Sequence, residues 1–403
     1  MEKPKLIRIT TVPLSLDKLL SGQLNHMNSF YEVIAVSSEK EYLERVGKKE
    51  KVQTFHLEMS RKITPIQDFL AVIKLYRFLK GNKPSIVHTH TPKAGIVGML
   101  ASKLAGVPNR FHTVAGLPLL ETSGFKRKLL DFVEKLTYSC ATKVYPNSHG
   151  LLAIITQNNY CSVDKLKVIA NGSSNGIDST YFNPELFSEL QNTALKKLLN
   201  IEPEDFVFVF VGRLVADKGI TEMVAAFEAL RPFDKLRADG AQGDNFALNC
   251  KLLLVGDYES DLDPLSPETL AIIQNNKAII TVGFQSDVRP FLSIADALIF
   301  PSYREGFPNV VMQAGAMGLP SIVSNINGCN EIIVEGENGT IIPVKNTPAI
   351  IEKMELLMTD QSYFKKLKSN ARQMIVSRYE QKVVWEAILV EYSGFSKGNQ
   401  TEE

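Results

Sequence analysis

The sequence predicts an α/β protein built from two doubly wound parallel-sheet domains, and three observations carry that prediction. Short apolar runs of strand length alternate with longer stretches whose apolar residues recur at helical spacing. One run, Phe206-Val207-Phe208-Val209-Phe210-Val211, is apolar throughout, as a strand buried on both faces must be. Charge also divides the chain: residues 1–182 hold 25 Lys and Arg against 14 Asp and Glu, a balance of +11, while the remaining 20 against 30 leave −10. At 403 residues, each half is long enough to bury its own core.

Composition narrows the class. Hydrophobic residues make up 44% and charged residues 22%, the range of a globular enzyme rather than a fibrous or disordered chain. No apolar run reaches the roughly 18 residues of a membrane span. Met1-Glu2-Lys3-Pro4-Lys5 carries charges where a signal peptide needs an apolar core. Cys140, Cys161, Cys250 and Cys329 form no close pair, so neither a zinc site nor a disulfide framework is indicated. The expected location is the cytoplasm. A basic half suits nucleic acid, an anionic membrane or phosphorylated substrates. No nucleic-acid motif accompanies it, so membrane and phosphate partners rank first.

In the first half, residues 6–12 read as the opening strand, ended by Pro13, and Gly22 lies in the loop before the next helix. Residues 32–37, 52–57 and 85–90 read as further strands. Between the last two, Phe69, Val72, Ile73, Tyr76 and Leu79 recur at helical spacing across 68–80. His88 and His90 alternate onto one face at a strand end, but with no carboxylate or cysteine nearby they do not read as a metal site. Residues 110–114 repeat the pattern, with His112 on the strand and a small-residue loop after it. A helix is predicted over 125–140, with Leu129, Phe132, Val133 and Leu136 on one side and Lys126, Arg127 and Lys128 at its start. Cations oppose the helix dipole there, and acidic headgroups or a lipid diphosphate would favour them. The attraction to a membrane expected from this is electrostatic, without insertion.

In the second half, residues 184–203 form a crossing, and the 206–211 strand then runs into a strand-to-helix loop carrying Arg213 and Lys218. The spacing of a P-loop is absent. Residues 231–249 are irregular and too long for an ordinary connection, hence an insertion. Asp261-Leu262-Asp263 sits in a loop rich in Ser, Pro and Asp and is not read as a metal site. Residues 278–288 read as strand, turn and helix start around Phe284. A strand over 297–300 is stopped by Pro301, and Pro308-Asn309 looks like a helix start with Asn309 as its cap. Gly318 and Pro320 end that helix before the strand at 321–324. This sets Glu305 at the carboxyl end of a strand, beside a helix N-terminus whose N–H groups suit a phosphate. A final helix is expected over 381–392, where Val384, Trp385, Ile388 and Leu389 are apolar.

Glu305-Gly306-Phe307-Pro308-Asn309-Val310-Val311, followed by Gln313, Gly318-Leu319-Pro320 and Glu331, resembles the signature of retaining GT-B glycosyltransferases of family 4. Arg213 with Lys218, and Asn175-Gly176-Ile177-Asp178, are similar to two further elements of that family. The resemblance departs at two points. The family's first glycine loop usually has two glycines where only Gly22 stands here, and its second glutamate is here Gln313. The likeness implies a GT-B fold with an acceptor-binding domain over 1–182, a nucleotide-sugar-binding domain over 183–380, and a helix over 381–395 returning to the first domain. It implies retaining, hexosyltransferase-type transfer from a nucleotide-sugar, with a UDP-sugar expected. The acceptor would be a hydroxyl of a lipid-linked or oligosaccharide molecule in cell-surface polysaccharide biosynthesis, and no metal cofactor would be needed. By the same resemblance Glu305 holds the transferred sugar, Gln313 the ribose, and Arg213 and Lys218 the diphosphate. His112 would lie near the pyrophosphate and reacting sugar, Gly22 against the diphosphate, and Gly306, Phe307, Asn309 and Phe284 along the nucleotide. The protein would then work at the inner face of the plasma membrane as a peripheral protein. Two other readings stay open: a non-catalytic sugar-nucleotide-binding or scaffold subunit, which Gln313 supports, and a GT-B sugar-nucleotide epimerase.

Overall fold

The computed structural model describes residues 3–60, 62–117, 119, 122–230, 249–259 and 263–397. The chain divides into two compact units, Met1–Gly176 with Gln381–Glu403, and Ile177–Glu380. The predicted insertion over 231–249 lies almost entirely outside the described residues, as do Asp261 and Leu262.

Unit 1 carries β1 (Lys5–Ile9), β2 (Glu32–Ser37), β3 (Gln53–His56), β4 (Ile86–His90), β5 (Asn109–Val114) and β6 (Lys143–Pro146), in the order β3-β2-β1-β4-β5-β6. Unit 2 carries β7 (Phe206–Val211), β8 (Cys250–Val255), β9 (Ile279–Thr281), β10 (Ala297–Phe300), β11 (Ser321–Ser324) and β12 (Gly339–Ile342), in the order β12-β11-β10-β7-β8-β9. All pairings are parallel. Each sheet grows outward in one direction, returns to its centre and grows the other way. The reversal falls between β1 and β4 in unit 1 and between β7 and β10 in unit 2. Connections diverge at such a point and open a crevice at the carboxyl ends of the strands.

Burial explains why these runs became strands. Val207, Phe208, Val209 and Phe210 of β7 are all fully buried, so both faces of this central strand are covered. The helix Gln381–Lys397 belongs to unit 1, where Val384, Ile388 and Tyr392 pack with Leu6, Leu24, Ile86 and Phe111. Its Tyr392 hydroxyl meets two buried groups, Arg8 Nη1 at 2.6 Å and His88 Nδ1 at 2.5 Å. Such a pairing gives partners to polar groups that burial would otherwise leave costly.

Three expectations are adjusted. The division falls after Gly176 rather than after Phe182, because residues 177–182 hold on to the helix Gln361–Tyr379. Ile177 N–H donates to the Tyr379 carbonyl at 2.8 Å, and Arg372 Nη1 donates to the Phe182 carbonyl at 2.7 Å. β6 and β12 were not read as strands in the sequence. The helix predicted over 125–140 forms at Gly124–Cys140, but its apolar side is divided: Val133 and Leu136 are half-buried while Leu129 and Phe132 are exposed. Among the described residues, no helix is long and apolar enough to cross a membrane.

Candidate functional site

The site in unit 2 grows from the reversal point. β7 and β10 lie side by side, with Phe208 opposite Ala297 and Val209 opposite Leu298, so the loops leaving their carboxyl ends meet. The approach is close. Gly219 has φ +69°, and a Cβ placed there would sit 2.2 Å from the Pro301 carbonyl oxygen, which only glycine avoids. Around that contact, Tyr303 N–H donates to the Asp217 carbonyl at 2.9 Å, and Arg304 Nη2 to Asp217 Oδ2 at 2.7 Å. Asp217 N–H in turn donates to Asp263 Oδ2 at 2.6 Å.

This bracing brings Lys218 and Glu305 together across 87 residues of chain, with Nζ to Oε1 at 2.5 Å. Ser302 Oγ donates to the same carboxylate oxygen at 3.1 Å. The two side chains are only 15% and 18% exposed, so water screens the pair little. Asn327, following β11, steadies the loop by donating to the carbonyls of Glu305 and of Gly306, the latter at 3.2 Å. Arg213 stands at the start of the same β7 loop, and its Nη1 donates to Glu259 Oε2 at 2.7 Å. Partial burial works against its charge, but the hydrogen bond to Glu259 and the nearby carboxylates outweigh this and raise its pKa.

The helix after this loop runs Asn309–Ala316. Its cap position is Pro308, in an extended conformation, and Asn309 is the first helical residue rather than the cap expected of it; no side chain caps the end. Gln313 is half-buried on this helix, one turn further along. Phe307 is buried and its ring meets Tyr379 at 5.4 Å, edge to face, so its side chain belongs to the core and only its backbone reaches the loop. Phe284, after β9, is the reverse: its N–H donates to Asp257 Oδ1 at 2.9 Å while its ring is 71% exposed. An exposed ring on a fixed backbone suits stacking against a flat base.

In unit 1, His112 lies on β5, fully enclosed, with Nδ1 2.8 Å from Thr89 Oγ1. Its ring rests against Gly95, where a Cβ would come within 2.6 Å of Cε1. Burial lowers its pKa to about 4, so the imidazole is neutral at ordinary pH. His88 has both ring nitrogens engaged, by Tyr392 and by Thr113 Oγ1 at 2.7 Å, and stacks on His90 at 4.4 Å. That arrangement is structural. Gly22 differs from its expected place against a diphosphate. Its N–H donates to Glu50 Oε1 at 2.9 Å, Asn25 N–H takes Oε2 at 3.1 Å, and Trp385 lies 2.8 Å from where a Cβ would stand. A buried carboxylate already fills this helix start, and a second anion there would be repelled. Among the described residues, no three His, Cys, Asp or Glu side chains gather as a metal site.

The structure therefore brings Glu305, Lys218, Arg213, Gly306 and the Asn309 helix start into one region of unit 2, and sets His112 and Gly22 in unit 1. Glu259, Ser302 and Asn327 were missed in the sequence, because they carry no motif of their own; Asp263 was noted only within Asp261-Leu262-Asp263, and its part in bracing the loop was not foreseen. Glu259 and Asp263 meet the loop from 46 residues away. Two cations and an uncapped helix start around a carboxylate can hold an anionic ligand with a hydroxyl-bearing group beside it.

Comparison with known proteins identifies relatives of the chain. A model of the glycosyl transferases of group 1 matches residues 191–374, and one of a glycosyl transferase 4-like domain matches residues 25–172. The chain is 30% identical over 406 residues to the capsular polysaccharide biosynthesis glycosyltransferase CapM of Staphylococcus aureus, covering 99% of this chain and 100% of that protein. It is 29% identical over 322 residues to the UDP-Gal:alpha-D-GlcNAc-diphosphoundecaprenol alpha-1,3-galactosyltransferase of Escherichia coli, covering 80% and 78% respectively. The solved structure of Anabaena HepE in complex with UDP shares the fold, with a TM-score of 0.78 at 17% identity over 97% of this chain and 100% of that one.

Proposed function

We propose that this chain, which belongs to the group 1 glycosyltransferases and has their GT-B fold, moves a sugar from a UDP-sugar to a hydroxyl of a lipid-linked saccharide, retaining the anomeric configuration, during assembly of a cell-surface polysaccharide. The observation that carries this reading is the Lys218–Glu305 pair at the sheet reversal, with Arg213 on the same loop. As the sugar–phosphate bond breaks, negative charge gathers on the departing diphosphate and positive charge on the sugar ring. Lys218 and Arg213 face the first change and the Glu305 carboxylate the second. Both cations hold carboxylates, Lys218 that of Glu305 and Arg213 that of Glu259, so a diphosphate would compete with these for them.

The uncapped N–H groups of the Asn309 helix add to diphosphate binding, Gln313 pairs with the ribose, and Phe284 lies along the base. His112 in unit 1 is neutral at ordinary pH, so any part it takes is through a hydrogen bond rather than a charge. With two cations on the leaving group, the reaction needs no metal ion. A UDP donor is supported by the UDP held in HepE and by the name of the Escherichia coli relative, which also supports a diphosphoundecaprenol-linked acceptor. CapM supports a role in capsule-type polysaccharide. Such an acceptor is carried by the membrane, and the work belongs at its cytoplasmic face.

The test is to offer UDP-, GDP- and ADP-sugars with and without an undecaprenyl-diphosphate-linked saccharide, and to measure nucleotide release and the anomer formed. Acceptor-dependent release of UDP with an α-linked product from an α-linked donor supports the reading. Conversion of the donor sugar without acceptor would make the protein an epimerase, and donor binding without turnover on any acceptor would make it a scaffold subunit.

A further inference from the structure

Asn327 lies on the turn between β11 and the short helix Cys329–Ile332 in unit 2, and its amide reaches back to the loop that carries Glu305. One nitrogen, Nδ2, donates to two successive main-chain oxygens, those of Glu305 and Gly306, the latter at 3.2 Å. An amide nitrogen carries two hydrogens, so a single side chain can serve both carbonyls. The consequence falls on the other side of the backbone. Both peptide bonds are trans, and in a trans peptide the C=O and the N–H point in opposite directions. Holding the carbonyls of 305 and 306 towards Asn327 therefore turns the N–H groups of Gly306 and Phe307 away from it. Neither N–H donates to another described residue. Successive N–H groups presented on one side of a loop form a concavity for an anion or an oxygen lone pair.

Asn327 is itself held in place. Gly328 has φ +78°, and a Cβ there would stand 2.6 Å from the Gly306 carbonyl oxygen and 2.9 Å from the Phe307 Cα, so turn and loop are in direct backbone contact. Glu331 closes the turn: its N–H donates to the Gly328 carbonyl at 3.3 Å, and its Oε1 accepts from the Gly328 N–H at 3.4 Å. The Glu331 carbonyl in turn accepts from the Tyr379 hydroxyl at 3.0 Å and from Arg378 Nη1 at 3.1 Å. Phe307 is fixed from the core side by its buried ring. A ligand meeting this loop finds donors already oriented, which lowers the ordering cost of binding.

We propose that Asn327 is a positioning residue for the donor: by fixing two peptide planes it aims the N–H groups of Gly306 and Phe307 at the sugar–phosphate end of the nucleotide-sugar. Glu305 belongs to the same short stretch of chain and takes the sugar in the reading above. The groups beside it therefore meet the sugar and the phosphate that bears it, not the nucleoside. The inference rests on that reading for the identity of the ligand and adds to it a residue that acts through the backbone of others.

The experiment is titration calorimetry of the full chain with UMP and with UDP-glucose, on wild type, Asn327→Ala, Asn327→Leu and Gly328→Ala. Leucine keeps nearly the size of asparagine without its donors, and Gly328→Ala keeps the amide but pushes on the Gly306 carbonyl. Wild type should bind UDP-glucose more tightly than UMP. Each variant should lose about ten-fold in UDP-glucose affinity, the scale of one weakened hydrogen bond to a charged group, while UMP affinity stays within about two-fold of wild type. A merely structural role would lower both ligands together, or move only the urea midpoint. The inference is overturned if the variants bind both ligands like wild type, or lose UMP as much as UDP-glucose. Loss of folding in all three variants would make Asn327 a structural residue and equally overturn it. If wild type ignores the uridine ligands but binds GMP and GDP-glucose, the uridine part of the donor reading falls, and the same ratio between those two ligands decides the inference. If wild type binds none of the four, both fall together.

Discussion

Replacing Glu305 by glutamine removes one charge from the centre of the site at almost constant shape. In the folded chain its Oε1 accepts from Lys218 Nζ at 2.5 Å and from Ser302 Oγ at 3.1 Å, with both members of the ion pair more than four-fifths enclosed. A hydrogen bond to a charged partner contributes about 1.5–3 kcal/mol, and the amide oxygen retains part of it. The stability cost of Glu305→Gln should therefore be about 1–2 kcal/mol. The proposed mechanism gives the cost to turnover another source, since in it the carboxylate opposes positive charge that develops on the sugar only in the transition state. Losing it should lower kcat by about ten-fold or more while donor KM changes little. The two effects are separable by adding Lys218→Met, which removes the unmatched cation. The double variant should regain stability, because it no longer holds an uncompensated ammonium, but it should not regain turnover. Urea denaturation gives the first quantity, and UDP release at saturating donor with a lipid-linked acceptor gives the second. If Glu305→Gln turns over like wild type, or if Lys218→Met restores its turnover, the pair is structural and the assignment of Glu305 to the sugar is wrong.

Other predictions follow from neighbouring residues. Arg213→Ala should lower activity about ten-fold or more by removing one charge-assisted contact to the diphosphate, and EDTA should leave activity intact; loss in EDTA with recovery in magnesium would contradict the metal-free mechanism. Gln313→Glu should leave kcat near wild type and change donor KM modestly, about 1–2 kcal/mol in binding, because the ribose does not change charge during transfer; a large change in kcat would reverse the roles given to Gln313 and Glu305. Stability should fall in mild acid. His112 takes up its proton near about 4 when folded and near 6.5 when unfolded, so between those values the unfolded chain binds more protons. The contribution is then full above about 6.5 and shrinks as pH falls, by about 2 kcal/mol at about pH 5. His88 and His90, lowered by burial in the same direction, add to the loss. Urea midpoints at the two pH values check this, and an unchanged midpoint would show that these histidines are not buried as described.

Much of the architecture was legible because it rests on local pattern. An unbroken apolar run at 206–211 is readable as a central strand, since its neighbours on both faces must be apolar whatever their order. Alternation of strand and helix fixes a parallel sheet, and a parallel sheet places loop residues such as Arg213 and Glu305 at its carboxyl edge. What lies between those elements was not readable. That Lys218 pairs with Glu305, Arg213 with Glu259 and Asp217 with Arg304 depends on which strands are neighbours, and side chains 46 to 87 residues apart leave no shared periodicity. Gly22 was expected against the diphosphate only through the family resemblance. Only the fold brings Glu50 to its N–H and Trp385, from the other end of the chain, over its Cα. The helix at 124–140 shows the same limit. Spacing alone placed Leu129 and Phe132 on its apolar side, but whether an apolar side meets protein or solvent is decided by what packs on it, and these two side chains are left exposed.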